Sequence, residues 1–333
     1  MLDILCIGDS VIDIFLKIPQ TDSKVRLDRQ NNKLLINYGD KIIIEKYIIG
    51  IGGNATNTAV GASRLGLSSG LCVEIGNDGF SQKIISTLKQ EGVNTKNVKQ
   101  DNDNQTSIAV ALSFSGDRTL FTEHVQRKHE FNFETEETKL IYLTSLGHVW
   151  EKAYEKVREF TKKTEVLLAF NPGSLQLENK NKYVLDVIEE TDYLFVNKQE
   201  AEEILYGKEL GLEAENNKNL IKKLLFGLRS LGAKNVIITD SGNGSYLQTQ
   251  GNIIYHLGII KVEVVEKTGA GDAYTAGFLS AILKNLTLKE AMIWGAINSA
   301  SVIQEIGAQD GLINQGKLNE IKNSLTNFIP EAL

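Results

Sequence analysis

The chain has 333 residues, is 42% hydrophobic and contains only 3 prolines, which is the composition of a folded globular protein. Its formal net charge is -6, so the sequence lacks the basic excess that a nucleic-acid-binding surface requires. The 2 cysteines lie in apolar, strand-like runs, which favours buried thiols over a disulfide or a metal site.

No apolar run approaches the roughly 18 residues that a membrane span requires. The apolar stretch at the start of the chain is too short and too acidic for a signal peptide. We therefore expect a soluble, cytoplasmic protein that has neither a membrane nor a nucleic acid as its partner.

Segments typical of buried strands and of helices alternate along most of the chain. The predicted strands are residues 5–7, 70–75, 140–144, 166–170, 193–196 and 235–239. The predicted helices are residues 81–91, 150–162, 182–190, 199–206 and 218–231. This alternation predicts an α/β fold with a mostly parallel central sheet flanked by helices on both faces. We expect residues 1–333 to form one such domain.

Two regions, about 14–49 and 107–123, interrupt the alternation with β-type runs that have no helices between them. Residues 34–38, 41–49 and 108–114 are typical of strands. We expect these regions to form a small antiparallel β lid over the carboxyl ends of the main sheet. Helices are too few there to cover both faces, so we also expect a homodimer through the lid.

Residues 50–66 (GIGGNATNTAVGASRLG) place two glycines and two asparagines at the start of a helix. Asn54 or Thr56 is expected to cap this helix, and Gly66 to end it. Asn57 would project from the first turn, where an amide side chain can bind a polyhydroxylated ligand.

Residues 267–274 (KTGAGDAY) follow a strand-like run, 259–265, and precede a helical pattern, 274–283. A strand is thus expected to turn into a helix through residues 269–271. The first N–H groups of such a helix bind anions, and the glycines leave them uncovered. Asp272 at this place is either a helix cap or a base beside a bound phosphate. The second interpretation suggests phosphoryl transfer to a hydroxyl.

Residues 52–57 (GGNATN) and 268–272 (TGAGD) together resemble the two signatures of the ribokinase-like, or PfkB-type, carbohydrate kinase family. The resemblance runs along essentially the whole chain, and the ordered pair of motifs is specific. It implies a ribokinase-like fold and an ATP-dependent kinase that phosphorylates a hydroxyl of a small carbohydrate. The implied catalytic residues are the general base Asp272 and the anion site at Gly269, Ala270 and Gly271. The implied contacts to the sugar come from Asp13, Gly53, Asn54 and Asn57.

The resemblance also implies a nucleotide and cation site. Its nucleotide-binding residues would be Asn197, Thr239, Gly244 and Gly271. Residues 197–200 (NKQE) resemble the family's Asn-x-x-Glu motif, so Asn197 and Glu200 would hold Mg²⁺ through water molecules. The same spacing is also that of a helix capping box. Potassium is a further expectation, because ribokinase-type members often bind a monovalent cation at the places of Glu266 and Thr268.

Two alternatives stay open at the level of the sequence. A nucleoside kinase of the same family would have a cavity that continues past Asp13 and Asn57 into a base-sized slot, lined by lid aromatics such as Tyr38 and Phe114. A non-catalytic sugar or nucleotide sensor would be expected to lack Asp272 or its anion site. Both are present.

Overall fold

The structure, a computed structural model, describes residues 1–31, 33–115, 117–123, 125–134, 136–178, 182–207 and 217–333. Residues 32 and 116 of the predicted lid lie outside the described residues. The strands are β1 (Leu2–Ile7), β2 (Val11–Lys17), β3 (Val25–Asp28), β4 (Lys33–Ile36), β5 (Lys46–Gly52), β6 (Ser69–Gly76), β7 (Asn94–Asp101), β8 (Ile108–Phe114), β9 (Asp117–Thr122), β10 (Thr138–Leu143), β11 (Leu167–Phe170), β12 (Tyr193–Asn197), β13 (Asn235–Thr239), β14 (Ser245–Gln248), β15 (Ile254–Leu257) and β16 (Glu331–Ala332). The helices are α1 (Asn54–Arg64), α2 (Gly79–Gln90), α3 (Glu151–Lys162), α4 (Ser174–Glu178), α5 (Lys182–Glu190), α6 (Lys198–Tyr206), α7 (Asn217–Ser230), α8 (Ala270–Leu283), α9 (Leu288–Val302) and α10 (Gln315–Ser324).

The central sheet has ten strands within the described residues, in the order β16-β15-β14-β13-β12-β11-β10-β1-β6-β7. Pairing is parallel from β7 to β13. The strands β14, β15 and β16 continue the sheet in antiparallel pairs. This arrangement confirms the predicted mostly parallel sheet. The carboxyl ends of its parallel strands meet at one edge, where α/β proteins bind ligands.

Helices cover both faces of the sheet because successive strand residues point to opposite sides. In β1, Ile4 and Cys6 contribute to one core, whereas Leu5 and Ile7 contribute to the other. The first core includes residues of α1, α2, α8, α9 and α10. The second includes residues of α3, α5, α6 and α7. No helix in the described part of the chain is long and apolar enough to span a membrane.

A second sheet, with strand order β5-β2-β8-β9, is formed by strands of the two predicted lid regions. Its β5–β2 and β8–β9 pairs are antiparallel, and β2–β8 is parallel. The strands β3 and β4 form a separate hairpin. The predicted strand 41–49 is wrong in its first half, because β5 begins only at Lys46. The partner strand β2 ends at Lys17, which pairs with Lys46, so the preceding residues have no ladder to join.

The predicted strand at residues 259–265 is also wrong, because this segment joins no sheet. Both sides of β15 are already occupied, by β14 and β16, so the following segment finds no free strand edge there. Instead, the N–H groups of Val265 and Glu266 donate to the carbonyl of Ile303, just after α9. This anchor places residues 267–269 at the start of α8.

Candidate active site

Asp272 lies in the first turn of α8 but does not cap that helix. The N-cap residue is Gly269, and α8 has no side-chain capping bond. The carboxylate of Asp272 instead accepts a hydrogen bond of 2.8 Å from the side-chain amide of Asn57. Asp272 is 8% exposed, and burial raises the pKa of its carboxyl to about 6, while the Asn57 bond opposes that rise. This carboxyl is therefore poised to exchange a proton near neutral pH.

Asn57 is itself fixed by a second buried side chain. Its Oδ1 accepts a hydrogen bond of 2.9 Å from the amide of Gln309. The helices that carry Asn57 and Asp272 also approach closely, since a Cβ on Gly61 would lie 2.7 Å from the Cβ of Ala276. A hydrogen-bonded series from Gln309 through Asn57 to Asp272 thus fixes the Asp272 carboxylate. Its two supporting side chains come from α1 and from the turn after α9. Sequence reasoning missed Gln309, whose only signal is a polar residue in a short turn after α9.

Two glycines shape the start of α8. Gly269 has a φ of 78°, and a Cβ there would lie 2.7 Å from the Cβ of Ala308, so both its conformation and its contact require glycine. A Cβ on Gly271 would meet no atom within 4 Å, and Gly271 is exposed. The N-terminal end of α8 is consequently open beside Asp272, with its positive dipole end toward this space. The N–H of Ala270 also donates a long bond of 3.3 Å to the carbonyl of Lys267.

Asp13 lies on the inner face of the lid, opposite the start of α8. Burial and, to a smaller extent, the negative charge of Asp272 raise the pKa of Asp13 to about 7, while Arg118 opposes the rise. Space beside Asp13 depends on Gly52, where a Cβ would lie 2.1 Å from the Asp13 Oδ2 atom. Asp13 and Asp272 therefore belong to one electrostatic environment although the lid and the body supply them separately.

The predicted cap of α1 is wrong. Gly53, with a φ of 96°, is the N-cap residue, and no side chain caps the helix. The amide of Asn54 donates to the Thr144 hydroxyl over 3.4 Å, and the Thr56 hydroxyl donates to the Asp9 carbonyl over 3.3 Å. A Cβ on Gly53 would lie 2.4 Å from that carbonyl. The loop after β1 thus crosses the mouth of α1 and requires a bare backbone there.

Asn197 and Glu200 form the capping box of α6. The Glu200 N–H donates to Asn197 Oδ1 over 2.9 Å, and the Asn197 N–H donates to Glu200 Oε2 over 2.8 Å. Asn171, which sequence reasoning missed, donates to the same Oε2 over 3.5 Å. Its signal is the Asn-Pro-Gly turn at the carboxyl end of β11. Burial raises the pKa of Glu200 to about 7, with a further contribution from Asp272. No group of three or more His, Cys, Asp or Glu able to hold a metal occurs among the described residues.

The loop after β13 contains Thr239 and Gly244. Thr239 is the last residue of β13, and a short 3₁₀ turn follows at Ser241–Asn243. Gly244 has a φ of 87°, and a Cβ there would lie 2.1 Å from the carbonyl oxygen of Leu257. Ser241 is not a glycine, yet its φ of 43° lies in the left-handed region. The loop therefore keeps a glycine-like backbone at a position without glycine.

A cavity of about 530 Å³ lies between the lid and the segment before α8. Its walls include Phe15, Ile48, Phe114, Val265 and Ile306. Phe15 lies on the same face of β2 as Asp13, two residues further along. The cavity thus lies further along β2 than Asp13, which is not among its lining residues. Tyr38 is fully exposed and is not part of its walls, so that part of the predicted slot is wrong.

The chain also resembles known proteins along most of its length. Residues 3–315 match the family described as pfkB family carbohydrate kinase. The ATP-dependent 6-phosphofructokinase of Thermoanaerobacterium thermosaccharolyticum is 26% identical over 318 residues, which cover 92% of this chain and 89% of that protein. The crystal structure of the Methanocaldococcus jannaschii nucleoside kinase, an archaeal member of the ribokinase family, is 25% identical. It covers 98% of this chain and 99% of its own, with a TM-score of 0.77.

A putative ribokinase II of E. coli, solved in complex with ATP and Mg²⁺, also has a TM-score of 0.77. It is 16% identical and covers 98% of this chain and 100% of its own. These likenesses confirm the predicted ribokinase-like α/β fold.

Proposed function

The chain belongs to the pfkB family of carbohydrate kinases, and we propose that it transfers the γ-phosphoryl group of ATP to a hydroxyl of a small carbohydrate. The observation that carries this proposal is the buried Asp272 carboxylate, fixed by Asn57 beside the open start of α8. We further propose that residues 1–333 act as one domain with its lid, in the cytoplasm.

Asp272 is the proposed general base. A pKa of about 6 leaves its carboxylate mostly ionised at neutral pH, so it can accept the proton of the attacking hydroxyl. The N–H groups of Gly269, Ala270 and Gly271 lie at the positive end of α8, where they would stabilise charge on the transferred phosphoryl group. The lid would exclude water that could compete as the acceptor.

The acceptor would bind between the lid and α1. Asp13 has an acceptor-only group when ionised, which suits sugar hydroxyls. The amide of Asn57 has two N–H donors and uses one on Asp272, so the other remains suited to the acceptor. Gly53 and Asn54 complete the proposed sugar-binding set at the mouth of α1.

ATP would bind at the carboxyl ends of β12 and β13, with Asn197, Thr239, Gly244 and Gly271 as its contacts. The likeness to a structure containing ATP and Mg²⁺ supports this proposal. Asn197 and Glu200 supply oxygen ligands of the kind that Mg²⁺ accepts through its waters, and the bound ion would neutralise phosphate charge. A potassium ion near Glu266 and Thr268 stays a prediction. Comparison of rates in potassium and sodium chloride tests it.

A nucleoside kinase is the second candidate, and the cavity between lid and body favours it. Its volume of about 530 Å³ and its walls of Phe15 and Phe114 offer room for a flat group beyond a ribose. The similarity to an archaeal nucleoside kinase points the same way. Substitution of Phe15 by Ala should then weaken the binding of nucleosides more than the binding of simple sugars.

The test of the proposed function is ADP release from ATP with purified protein and a panel of sugars, sugar phosphates and nucleosides. We expect one acceptor class to raise the rate well above that without acceptor, and Asp272→Asn to abolish the increase. ADP release that no acceptor stimulates, or that Asp272→Asn leaves intact, would contradict the proposal.

We also propose that the lid forms a homodimer through its outer face. Alternation along the strands places one apolar set of side chains on the face opposite Asp13 and Phe15: Leu16, Tyr47, Ile49, Val110, Leu112 and Phe121. Tyr47 is 62% exposed and Phe121 55% exposed. A continuous apolar face across four strands suits a second copy of the same face, related by a twofold axis.

A further inference from the structure

The carboxylate of Glu266 connects the lid to the turn before α8. Its Oε1 atom accepts hydrogen bonds from the N–H groups of Lys267 (2.8 Å) and Thr268 (3.2 Å) and from the Thr268 hydroxyl (3.0 Å). The same oxygen accepts from the guanidinium of Arg118 on β9. One atom therefore contacts both a lid side chain and the backbone that leads into Gly269.

The register of the lid sheet explains why Arg118 faces this turn. Arg118 pairs with Ser113 on β8, and Ser113 pairs with Lys17 on β2. Lys17 follows Asp13 by an even number of residues, so these side chains share the inner face of the lid. The Glu266 side chain is 9% exposed and that of Arg118 27%. Water screens a pair of this burial less than an ordinary surface pair.

We propose that Arg118 and Glu266 are positioning residues that couple closure of the lid to the order of the anion site. This inference rests on the proposed phosphoryl transfer. With the lid in place, Arg118 holds Glu266, and Glu266 holds the backbone of Lys267 and Thr268. With the lid open, that turn loses a charged partner, and the N–H groups at the start of α8 are positioned less well. Transfer to water in the open state is thereby slowed.

A simpler interpretation is that Glu266 stabilises only its own turn. Substitution by glutamine separates the two interpretations. Gln at position 266 keeps a neutral oxygen acceptor for Lys267 and Thr268 but loses the charge attraction to Arg118. If Glu266 stabilises only its own turn, Glu266→Gln should change kcat little. If Glu266 couples the turn to the lid, Glu266→Gln should lower kcat as much as Arg118→Gln does.

A double-mutant cycle measures the coupling. We expect Arg118→Gln and Glu266→Gln each to lower kcat about tenfold, with less than about a twofold change in the KM for ATP. The double variant should lose no more than either single variant, and Arg118→Lys should recover part of the rate. Losses that multiply in the double variant, or a normal kcat in Arg118→Gln, would overturn the inference.

Hydrogen exchange gives a readout that does not depend on activity. The N–H groups of Lys267 and Thr268 are bonded to Glu266 directly, so Arg118→Gln should speed exchange in a peptide covering residues 265–270. Unchanged exchange would overturn the coupling even in an active enzyme. Absence of acceptor-stimulated ADP release in the wild type would instead contradict the proposed function, so the two failures are distinguishable.

Lys234→Gln is the matched control. Lys234 pairs with Asp192 over 2.7 Å, and Asp192 also accepts a backbone N–H, from Leu168, over 2.8 Å. This pair joins a charged side chain to a backbone-binding carboxylate without involving the lid. We expect its loss to leave kcat and exchange at residues 265–270 unchanged. A tenfold loss of kcat in Lys234→Gln would overturn the inference, because the loss of kcat in the Arg118 and Glu266 variants would then not be specific to their contact.

Discussion

The amide of Asn57 and the carboxylate of Asp272 are 2.8 Å apart, although 215 positions separate them in the chain. The bond joins α1 to α8 and favours the ionised carboxylate, whereas burial favours the protonated one. The balance places the pKa of Asp272 near 6. The two helices thus set the protonation of the proposed base, as well as its position.

Replacement of Asp272 by Asn should lower turnover by about a hundredfold or more, the range expected for loss of a general base. ATP and acceptor should still bind, because the change removes one charge and conserves shape. Steady-state kinetics and calorimetric titration measure the two effects. A variant with near-normal turnover and an unchanged fold would exclude Asp272 as the base.

The rate should fall at acid pH because the base must be ionised. Burial raises the pKa of Asp272 to about 6 and that of Asp13 to about 7, and the charge of Asp272 adds to the rise at Asp13. The acid limb of kcat/KM is therefore expected between pH 6 and 7 as a property of the pair. Asn57→Ala removes a hydrogen bond that favours the ionised form of Asp272, which should raise the pKa of Asp272. The acid limb of kcat/KM for this variant should therefore move to higher pH. Asn54→Ala, which removes a bond to Thr144 instead, should leave the limb in place.

The sequence predicts the parallel sheet and the start of α8 well because their signals are local. The helix stop at Gly66 and the strand at Ile108–Phe114 follow from neighbouring residues, and the structure confirms both. The cap of α1 could not be predicted, since Gly53 is required by a contact with the Asp9 carbonyl. Residues 259–265 were predicted as a strand because they are rich in β-branched residues. Their composition cannot show that β14 and β16 already occupy both edges of β15, so that no strand is left for the segment to pair with.

The side chains that support the site were harder to predict than the site itself. Gln309 contacts Asn57 from 252 positions away, and Arg118 contacts Glu266 from 148 positions away. Neither residue belongs to a local pattern.

Asp13→Ala should act on the acceptor and leave the nucleotide nearly unaffected. Loss of a buried acceptor of hydrogen bonds costs about 1 to 3 kcal/mol, so the acceptor KM should rise or kcat should fall accordingly. ATP affinity, measured without acceptor, is the control. Loss of ATP binding instead would mean that the two halves of the site are reversed.

Asp272→Asn should also stabilise the protein at neutral pH. The folded-state pKa of about 6 lies above the ordinary value near 3.8, so the folded protein binds the extra proton and loses stability as pH rises through this interval. The difference in the free energy of unfolding between Asp272→Asn and the wild type should grow from about pH 4 to 6 and stay constant above pH 6. Burial lowers the pKa of His129 to about 4, so this residue makes the folded protein more stable as pH rises. The contribution of His129 is the same in the wild type and the variant, and it cancels in their difference. Thermal melts at three pH values measure the difference; a constant difference would contradict the prediction.

The lid dimer predicts that one charge on the outer face separates the subunits. Phe121→Asp would place a carboxylate in the proposed interface, where its desolvation is unfavourable. Light scattering at micromolar concentration should then change from twice 36.8 kDa to 36.8 kDa. Lys139→Asp, on β10 of the body, is the control. A wild type with the mass of one chain would exclude the dimer and leave the kinase assignment untouched.

The contact between α1 and α8 also constrains how the chain folds as the ribosome makes it. Gly61 of α1 lies against Ala276 of α8, and everything from residue 65 to residue 269 is synthesised between the two helices. Until α8 emerges, the face of α1 that will receive it stays uncovered. Nascent chains that end before α8 should consequently recruit chaperones and remain sensitive to protease, and resistance should arise only after α8 and α9 leave the exit tunnel.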